Sequence, residues 1–556
     1  MKRFWFICRS GVLGLSVAWL TGIHPCGADL RAAAPEPGHP ILQAPPIQAA
    51  ELRARAKAEK ACSADKRLCF AETYEAAARH TAFGQWETLE GGRARWTLFV
   101  HAPGATNVNL GLADVALPVS GVLRISTGDG CAVAGPYHEG DLAADGQLWT
   151  PVLPGDFIVV EAEMPEEARA DFSLTIACVN SGFLDVAGRP EAAATEAEKQ
   201  GWCNIDVACP LAAAWQDPVR SVGRCTVLGR YLCTGTLVMN QRADFRPFFL
   251  TANHCVSSIY AARSVVVYWN YQSPTCGALG GGSLGQYQSG ASLRATHAPS
   301  DFTLLELDTQ PSSAAGVHYA GWDCSGDAVA GAAGIHHPWG DEKAWCYENH
   351  ALQSTDFASS TVDSGASHWR VPHWEYGTTE DGSSGSGLWE GTTQRIVGQL
   401  HGGYSACGNN LSDWYGKLSA SWQGGGTSSS RLRDWLDPDN TGLLYMDGRD
   451  PAAGSTWDAG YQSLGGGWRR LAWFGDYIPM GGDGWLWHNR HGFLFVPADA
   501  ASGSIWLFAQ DMGWLWTGNT TYPFLYRSSD GAWVWYNGAT GPRWFRNMAT
   551  GVWETW

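Results

Sequence analysis

Charged residues make up only 16% of this 556-residue chain, methionine occurs seven times, and no two cysteines stand at C-x-x-C spacing. Each shortage excludes something. Lys and Arg total 37 against 54 acidic residues, a formal charge of −17 with no basic stripe, so no nucleic-acid partner is expected. Without C-x-x-C pairs the 15 cysteines do not read as zinc ligands, and they fit the disulfides of an exported chain. Long apolar runs are missing too. GVLGLSVAWL at 11–20 is about half the length that spans a bilayer, and nothing later reaches ~18 uncharged apolar residues, so no membrane span is expected. Lys2, Arg3 and Arg9 lead into that run and the small residues of CGA at 26–28 end it, which is the pattern of a signal peptide over 1–28 and of a secreted product. Cys26 lacks the small residues upstream that a lipid-anchored cysteine needs.

Glycine (68) and tryptophan (30) are what the chain has in quantity, and its length predicts two to four domains. Residues 29–60 are Ala/Pro-rich, and 50–80 carry Ala, Glu and Lys at helical frequency, with Cys62 and Cys69 near enough to close a local loop. From about 93 to 188, short alternating runs (WTLFVHA, VLRIST, DFIVVEAEM) between Gly, Pro and Asp turns predict a β-sandwich, which Cys131 and Cys178 could staple. The polar connector RPEAAATEAEKQ follows. A second all-β segment runs over 200–449 and ends in TSSSRLRDWLDP, which predicts a short Ser-capped helix stopped by proline. After a linker at 450–467, residues 468–556 repeat a Gly-aromatic-x-aromatic pattern (DGWLW, HGFLF, MGWLW, DGAWVW, TGVW) that predicts short strands joined by Gly turns.

FFLTANHC at 248–255 ends a buried run on a histidine beside a cysteine that could pin the turn. Downstream stand Asp301 in DFTLLEL and Ser384 in DGSSGSG. A serine hydroxyl is a weak nucleophile until a base takes its proton, and the base needs a third group to fix its tautomer. His254, Asp301 and Ser384 supply those roles, with the Gly382 and Ser384 amides as the natural oxyanion donors. The G-x-S-x-G elbow of the α/β-hydrolases is not met, because Ser386 stands where its second glycine belongs.

CTGTLV at 233–238, LTANHC, SDFTLLEL and EDGSSGSG resemble the trypsin-like serine proteases. CNIDVACP at 203–210, VVVYWNYQ at 265–272, IHHP at 335–338, GQLHGG at 398–403 and SRLRDWLDP at 430–438 narrow the resemblance to the bacterial lysyl endopeptidases, over about 250 residues. The resemblance implies an all-β, chymotrypsin-like double β-barrel at 200–449, cofactor-free cleavage of polypeptides after lysine, and bridges Cys203–Cys407, Cys209–Cys276 and Cys233–Cys255. It implies that Asp413 is the anion of the primary pocket and that His401 flanks that pocket, where the family stacks a tryptophan on it. No tryptophan stands near Ser359–Thr361, and Gly387 replaces the family's proline, which leaves lysine-over-arginine preference open. Cys324 and Cys346, outside the family pattern, are expected to pair, and Cys225 to be free or to bridge a domain boundary.

Ser383 stands where pancreatic-type enzymes carry the aspartate of their activation switch, so silence is expected to come from steric cover by a propeptide at 29–199, removed by self-cleavage after Lys199. Two rivals remain: a protease of different P1 specificity, and a non-catalytic protein binding cell-surface glycan or envelope through its tail, which holds 13 of the 30 tryptophans. Packing into a β core is the first expectation for those rings. His336 and His337 read as packing histidines, Glu380 and Asp381 as loop surface, no metal is expected, and the protein is expected to be monomeric.

Overall fold

The computed structural model describes residues 39–60, 66–187, 200–451, 457–458, 462–465, 468–480, 484–497 and 504–556. The signal peptide, Cys62 and Lys199 lie outside these. Strands dominate the described residues, as the alternating runs predict.

The described strands from Ile41–Gln43 to Ser173–Gly182, Leu68–Cys69 apart, form a sandwich of two sheets. One carries Arg93–His101 and Phe157–Pro165 at its centre, the other Asn107–Ala116 and Ser173–Gly182. Trp96, Leu98, Leu110, Ile125, Val160 and Ile176 are buried between them, on the alternate positions that the sequence pattern predicts. The helix expected over 50–80 stops early, at Lys60. Ala71–Arg79 is instead a strand paired antiparallel with Ser173–Gly182, where its backbone completes a ladder that helical propensity cannot supply. Cys178 is a buried free thiol, so the expected Cys131–Cys178 staple does not form.

Two further sheets follow from Ile205. The first orders its strands Tyr287–Ser289, Val266–Trp269, Val222–Val227, Tyr231–Val238, Phe248–Ala252, Phe302–Leu307 and Ala291–His297. The second runs Ala344–Glu348, Ala332–His336, Gly387–Glu390, Ile396–Gly403, Asp413–Lys417, His368–Val371 and Gln353–Thr355, with Ile205–Asp206 at its edge. Each is one antiparallel half of the expected double barrel with its own buried cluster, and Phe248, Leu250, Trp322, Trp345 and Trp389 pack where the two meet. Disulfides Cys203–Cys407, Cys209–Cys276 and Cys233–Cys255 form as the resemblance implies. Cys324 and Cys346 do not pair; both are buried thiols, as is Cys225. The helix near the end spans Arg433–Leu436 with Leu432, not a serine, at its N-cap.

The last sheet is an eleven-stranded meander from Gln462–Gly465 to Trp553–Thr555, so it begins inside the stretch read as linker. Its core is aliphatic and phenolic: Leu486, Leu494, Ile505, Leu507, Leu515, Leu525, Val534, Tyr536 and Phe545. The tryptophans alternate onto the other face. Trp485, Trp487, Trp506, Trp514, Trp533, Trp544 and Trp553 are all more than a third exposed, whereas Trp457 and Trp473 pack against the core, so the expectation that the rings build the core holds for only a few of them.

Candidate active site

Strand Phe248–Ala252 is buried throughout and pairs with Phe302–Leu307 in the register Ala252↔Phe302. That register places the residues just beyond the paired ends, His254 and Asp301, side by side. Asp301 takes a left-handed backbone (φ 52°) that turns its carboxylate inward, where it is 2% exposed. Its Oδ1 accepts the His254 backbone N–H at 3.0 Å and its Oδ2 lies 2.8 Å from His254 Nδ1. Across the cleft, the turn before strand Gly387–Glu390 carries Ser384, whose Oγ is 2.8 Å from His254 Nε2. The Thr234 N–H donates to the Ser384 carbonyl, locking this turn onto the first sheet. Disulfide Cys233–Cys255 holds the residue after His254 to the same strand.

Gly382 has φ +93°, and a Cβ there would meet Gly340 N at 2.6 Å and His337 O at 2.7 Å. Only glycine keeps its N–H turned toward the cleft. At Gly387, a Cβ would approach the Trp389 ring to 2.9 Å, so the tryptophan two residues on takes the space that the family's proline needs.

His401 lies against the same cluster. Its ring stacks on His254 (centroids 5.7 Å apart), and its Nε2 is 3.9 Å from Asp301 Oδ2. The stacking partner missing from Ser359–Thr361 is supplied two residues upstream: Phe357 lies 3.6 Å from His401 at 12° between planes. His401 Nδ1 also shares a 2.9 Å hydrogen bond with His368 Nε2, and burial, reinforced by His401, holds the His368 imidazole down at about 3.

Asp413 sits on the floor of the neighbouring pocket, 0% exposed. Trp374 Nε1, Thr379 Oγ1 and Ser405 Oγ donate to its Oδ2 at 2.7, 2.7 and 2.6 Å. Its Oδ1 receives the ammonium of Lys66, from the N-terminal part of the chain, at 2.9 Å. The Lys66 Nζ also reaches Thr379 O at 3.1 Å, Ser405 O at 2.9 Å, Ser405 Oγ at 3.2 Å and, closer, Thr379 Oγ1. The Lys66 carbonyl accepts the Gly382 N–H at 2.6 Å.

Two domain models match the chain: the lysyl endopeptidase N-terminal domain over 41–179 and the lysyl endopeptidase C-terminal domain over 197–416, together well over half of its length. The chain belongs to the lysyl endopeptidase family. The lysyl endopeptidase of Pseudomonas aeruginosa is 31% identical over 294 residues. That match takes in 48% of this chain and 59% of that protein, so less than two thirds of the relative is spanned. Among solved structures, a thermostable serine protease from an extremophilic microorganism is 14% identical with a TM-score of 0.28, over 36% of this chain and 92% of its own. A Glu endopeptidase is 17% identical with a TM-score of 0.25, over 39% and 93%. Likenesses this weak decide nothing further about this chain.

Of the residues that the lysyl endopeptidase resemblance nominated, His254, Asp301, Ser384, Gly382, His401 and Asp413 converge on one cleft. Lys199 lies outside the described residues. Lys66, Trp374, Thr379, Ser405, Phe357 and His368 went unnoticed in the sequence, since each is an ordinary residue whose partner is remote. Only the KR dipeptide at 66–67 offered a signal. Glu380, read as loop surface, is 8% exposed and accepts from Gly201 N and Asn204 Nδ2. Ser383, in place of an activation aspartate, has its Oγ 2.8 Å from His336 Nδ1. Ligand atoms of His254, Asp301 and His401 lie within 4.8 Å of one another, as do those of Glu348, His350 and His373; the chemistry below uses no metal.

Proposed function

We propose that this chain is a secreted serine endopeptidase, made as a preproprotein, that hydrolyses peptide bonds on the carboxyl side of lysine. The observation that carries the reading is a lysine already in place: Lys66 spans from the Gly382 N–H at its carbonyl to the Asp413 carboxylate at its ammonium. Ser384 Oγ attacks the carbonyl carbon of a lysine so bound. His254 Nε2 takes the hydroxyl proton and hands it to the departing amine, while Asp301 holds the other ring nitrogen and stabilises the imidazolium. The Gly382 N–H, with that of Ser384, receives the oxyanion. Hydrolysis of the acyl-enzyme by water repeats the proton transfers and needs no cofactor.

Asp413 supplies selectivity. Its Oδ2 is fully engaged by three donors, so the carboxylate has a single oxygen left for one compact cation. A neutral P1 side chain leaves that carboxylate unpaired, at a cost of about 3–4 kcal/mol, or roughly two to three decades in kcat/KM. An acidic side chain meets repulsion there. Arginine's planar fork is larger than an ammonium and finds the surrounding oxygens of Thr379 and Ser405 already at contact distance. Digestion of an unbiased peptide library by the matured protein, read by mass spectrometry, tests this: cuts confined to the lysyl carboxyl side are expected, and cuts elsewhere or none from folded protein would sink it.

The tail supports a second, separate role. Its outward rings form neighbouring pairs across strands, such as Trp487–Phe493, Trp516–Trp533 and Trp544–Trp553, and flat exposed rings suit stacking on sugars. We infer that this face holds the enzyme to surface polysaccharide. Cosedimentation with purified cell envelopes, with and without residues 452–556, checks it; equal binding by both forms rejects it.

A further inference from the structure

The lysine that fills the Asp413 pocket belongs to a segment bound as a substrate is bound. We infer that the Lys66–Arg67 peptide bond is an internal substrate, cut slowly by Ser384 of the same chain, and that the segment after it keeps the nicked proform silent. This rests on the lysine reading above and adds the bond, the plug and the reason it stays.

Three sets of contacts place that bond. On its N-terminal side, the Lys66 side chain is 3% exposed and saturates the pocket, with its carbonyl on the Gly382 N–H. Ser384 beside it is 0% exposed. On the C-terminal side, Arg67 Nη1 donates to the His254 carbonyl at 2.8 Å and its guanidinium lies 4.3 Å over the Tyr231 ring. Beyond it, Leu68 and Cys69 pair antiparallel with Leu232 and Tyr231 as an added strand, and Phe70 N–H donates to Arg230 O at 3.0 Å.

Ser384 Oγ adds to the Lys66 carbonyl carbon as its proton passes to His254 Nε2. The Lys66–Arg67 C–N bond breaks, and that proton goes to the Arg67 nitrogen. Water then frees the Lys66 carboxylate, or the Arg67 amine recaptures the acyl group and restores the chain. Recapture is favoured because the leaving side does not leave. Leu68, Phe70 and Ala71 are buried with Val152, Phe183, Leu184 and Val186 of the sandwich against Leu232 of the protease sheet. Asn109 Nδ2 to Gly229 O (2.8 Å), Val152 N to Tyr268 OH (2.8 Å) and Arg224 Nη1 to Val186 O (3.0 Å) tie the same two bodies together. The plug therefore acts as a tethered inhibitor, and full release requires that the whole pro-region be detached.

The full-length chain, its Lys66→Gln and its Ser384→Ala variants, secreted from a protease-deficient host, decide the matter. Each is acid-quenched over time for N-terminal mass spectrometry and assayed on a lysyl peptide, and the two forms that keep Ser384 are labelled there with a fluorophosphonate. Wild type is expected to show a new terminus at Arg67, appearing at a rate independent of protein concentration, with slow labelling and little activity; Ser384→Ala shows no such terminus. A tethered occupant works at an effective concentration of the order of millimolar, so Lys66→Gln should lose the Arg67 terminus and gain about tenfold or more in initial activity. Fast labelling of wild-type proform would overturn the plug without relying on any variant's folding. So would equal silence of wild type and Lys66→Gln, if the matured enzyme cuts lysyl peptides. A matured enzyme that cuts no lysyl peptide overturns both this inference and the function beneath it.

Discussion

At the scale of single residues, the cleft is a set of ordinary side chains given unusual partners. Asp413 is an example: three donors occupy one of its oxygens, and the other holds the Lys66 ammonium. Replacing Asp413 by Asn should lower kcat/KM on a lysyl peptide by roughly two to three decades while Ser384 still reacts with a fluorophosphonate. A retained lysyl rate would remove Asp413 from the pocket. Phe357 makes a subtler case. Its face covers His401, which in turn stacks on the catalytic histidine. Such a ring pair contributes about 0.5–1.5 kcal/mol, so Phe357→Ala should cost about two- to tenfold, and Phe357→Trp should hold the rate. Steady-state kinetics on one lysyl substrate separates these outcomes.

At the scale of the element, turns carry the chemistry and strands aim them. The positive-φ turn at Gly382 points an N–H at the substrate carbonyl because no side chain is there to collide with Gly340 and His337. Gly382→Ala forces that turn to move and should cost about two to three decades in kcat with the fold intact, as loss of an oxyanion donor does elsewhere; circular dichroism alongside kinetics reads it. Helical composition at 71–79 yields to a ladder with Ser173–Gly182, and that strand leads directly from the plug at Lys66–Cys69 into the sandwich.

Over the whole molecule, burial sets the pH behaviour. His336 is fully enclosed and held at about 3 by burial, with the Lys66 charge adding to it; His368 is held at about 3 in the same way. Both are depressed below the ordinary histidine value of ~6.5, so their neutral forms support the fold above that pH. The support is lost as pH falls from about 6.5 toward 3, by about 1.4 kcal/mol per pH unit for each. Denaturation of the Ser384→Ala proform at pH 7, 5 and 4 should show that slope, and His336→Gln should flatten it; an unchanged slope would mean that His336 is not titrating. The tail closes a core of its own over 471–545, so a chain ended at Pro451 should keep the melting temperature and lysyl activity of the rest.

The sequence by itself determined the parts of this protein that depend on local pattern. Alternation gave its strands, the motif around each of His254, Asp301 and Ser384 gave the proposed nucleophile and base, and cysteine positions in a resembling family gave three bridges. It could not determine which faces would meet. Cys324 and Cys346 stand close in sequence yet remain separate thiols, since disulfides depend on distance between backbones. The tail's tryptophans alternate correctly, but only the folded sheet decided that its leucines go inside and most of its tryptophans outside. Lys66 is 347 residues from Asp413, and no spacing rule pairs residues so far apart. That pair exists because the sandwich packs against the sheets that follow it, which carries Lys66 onto Asp413.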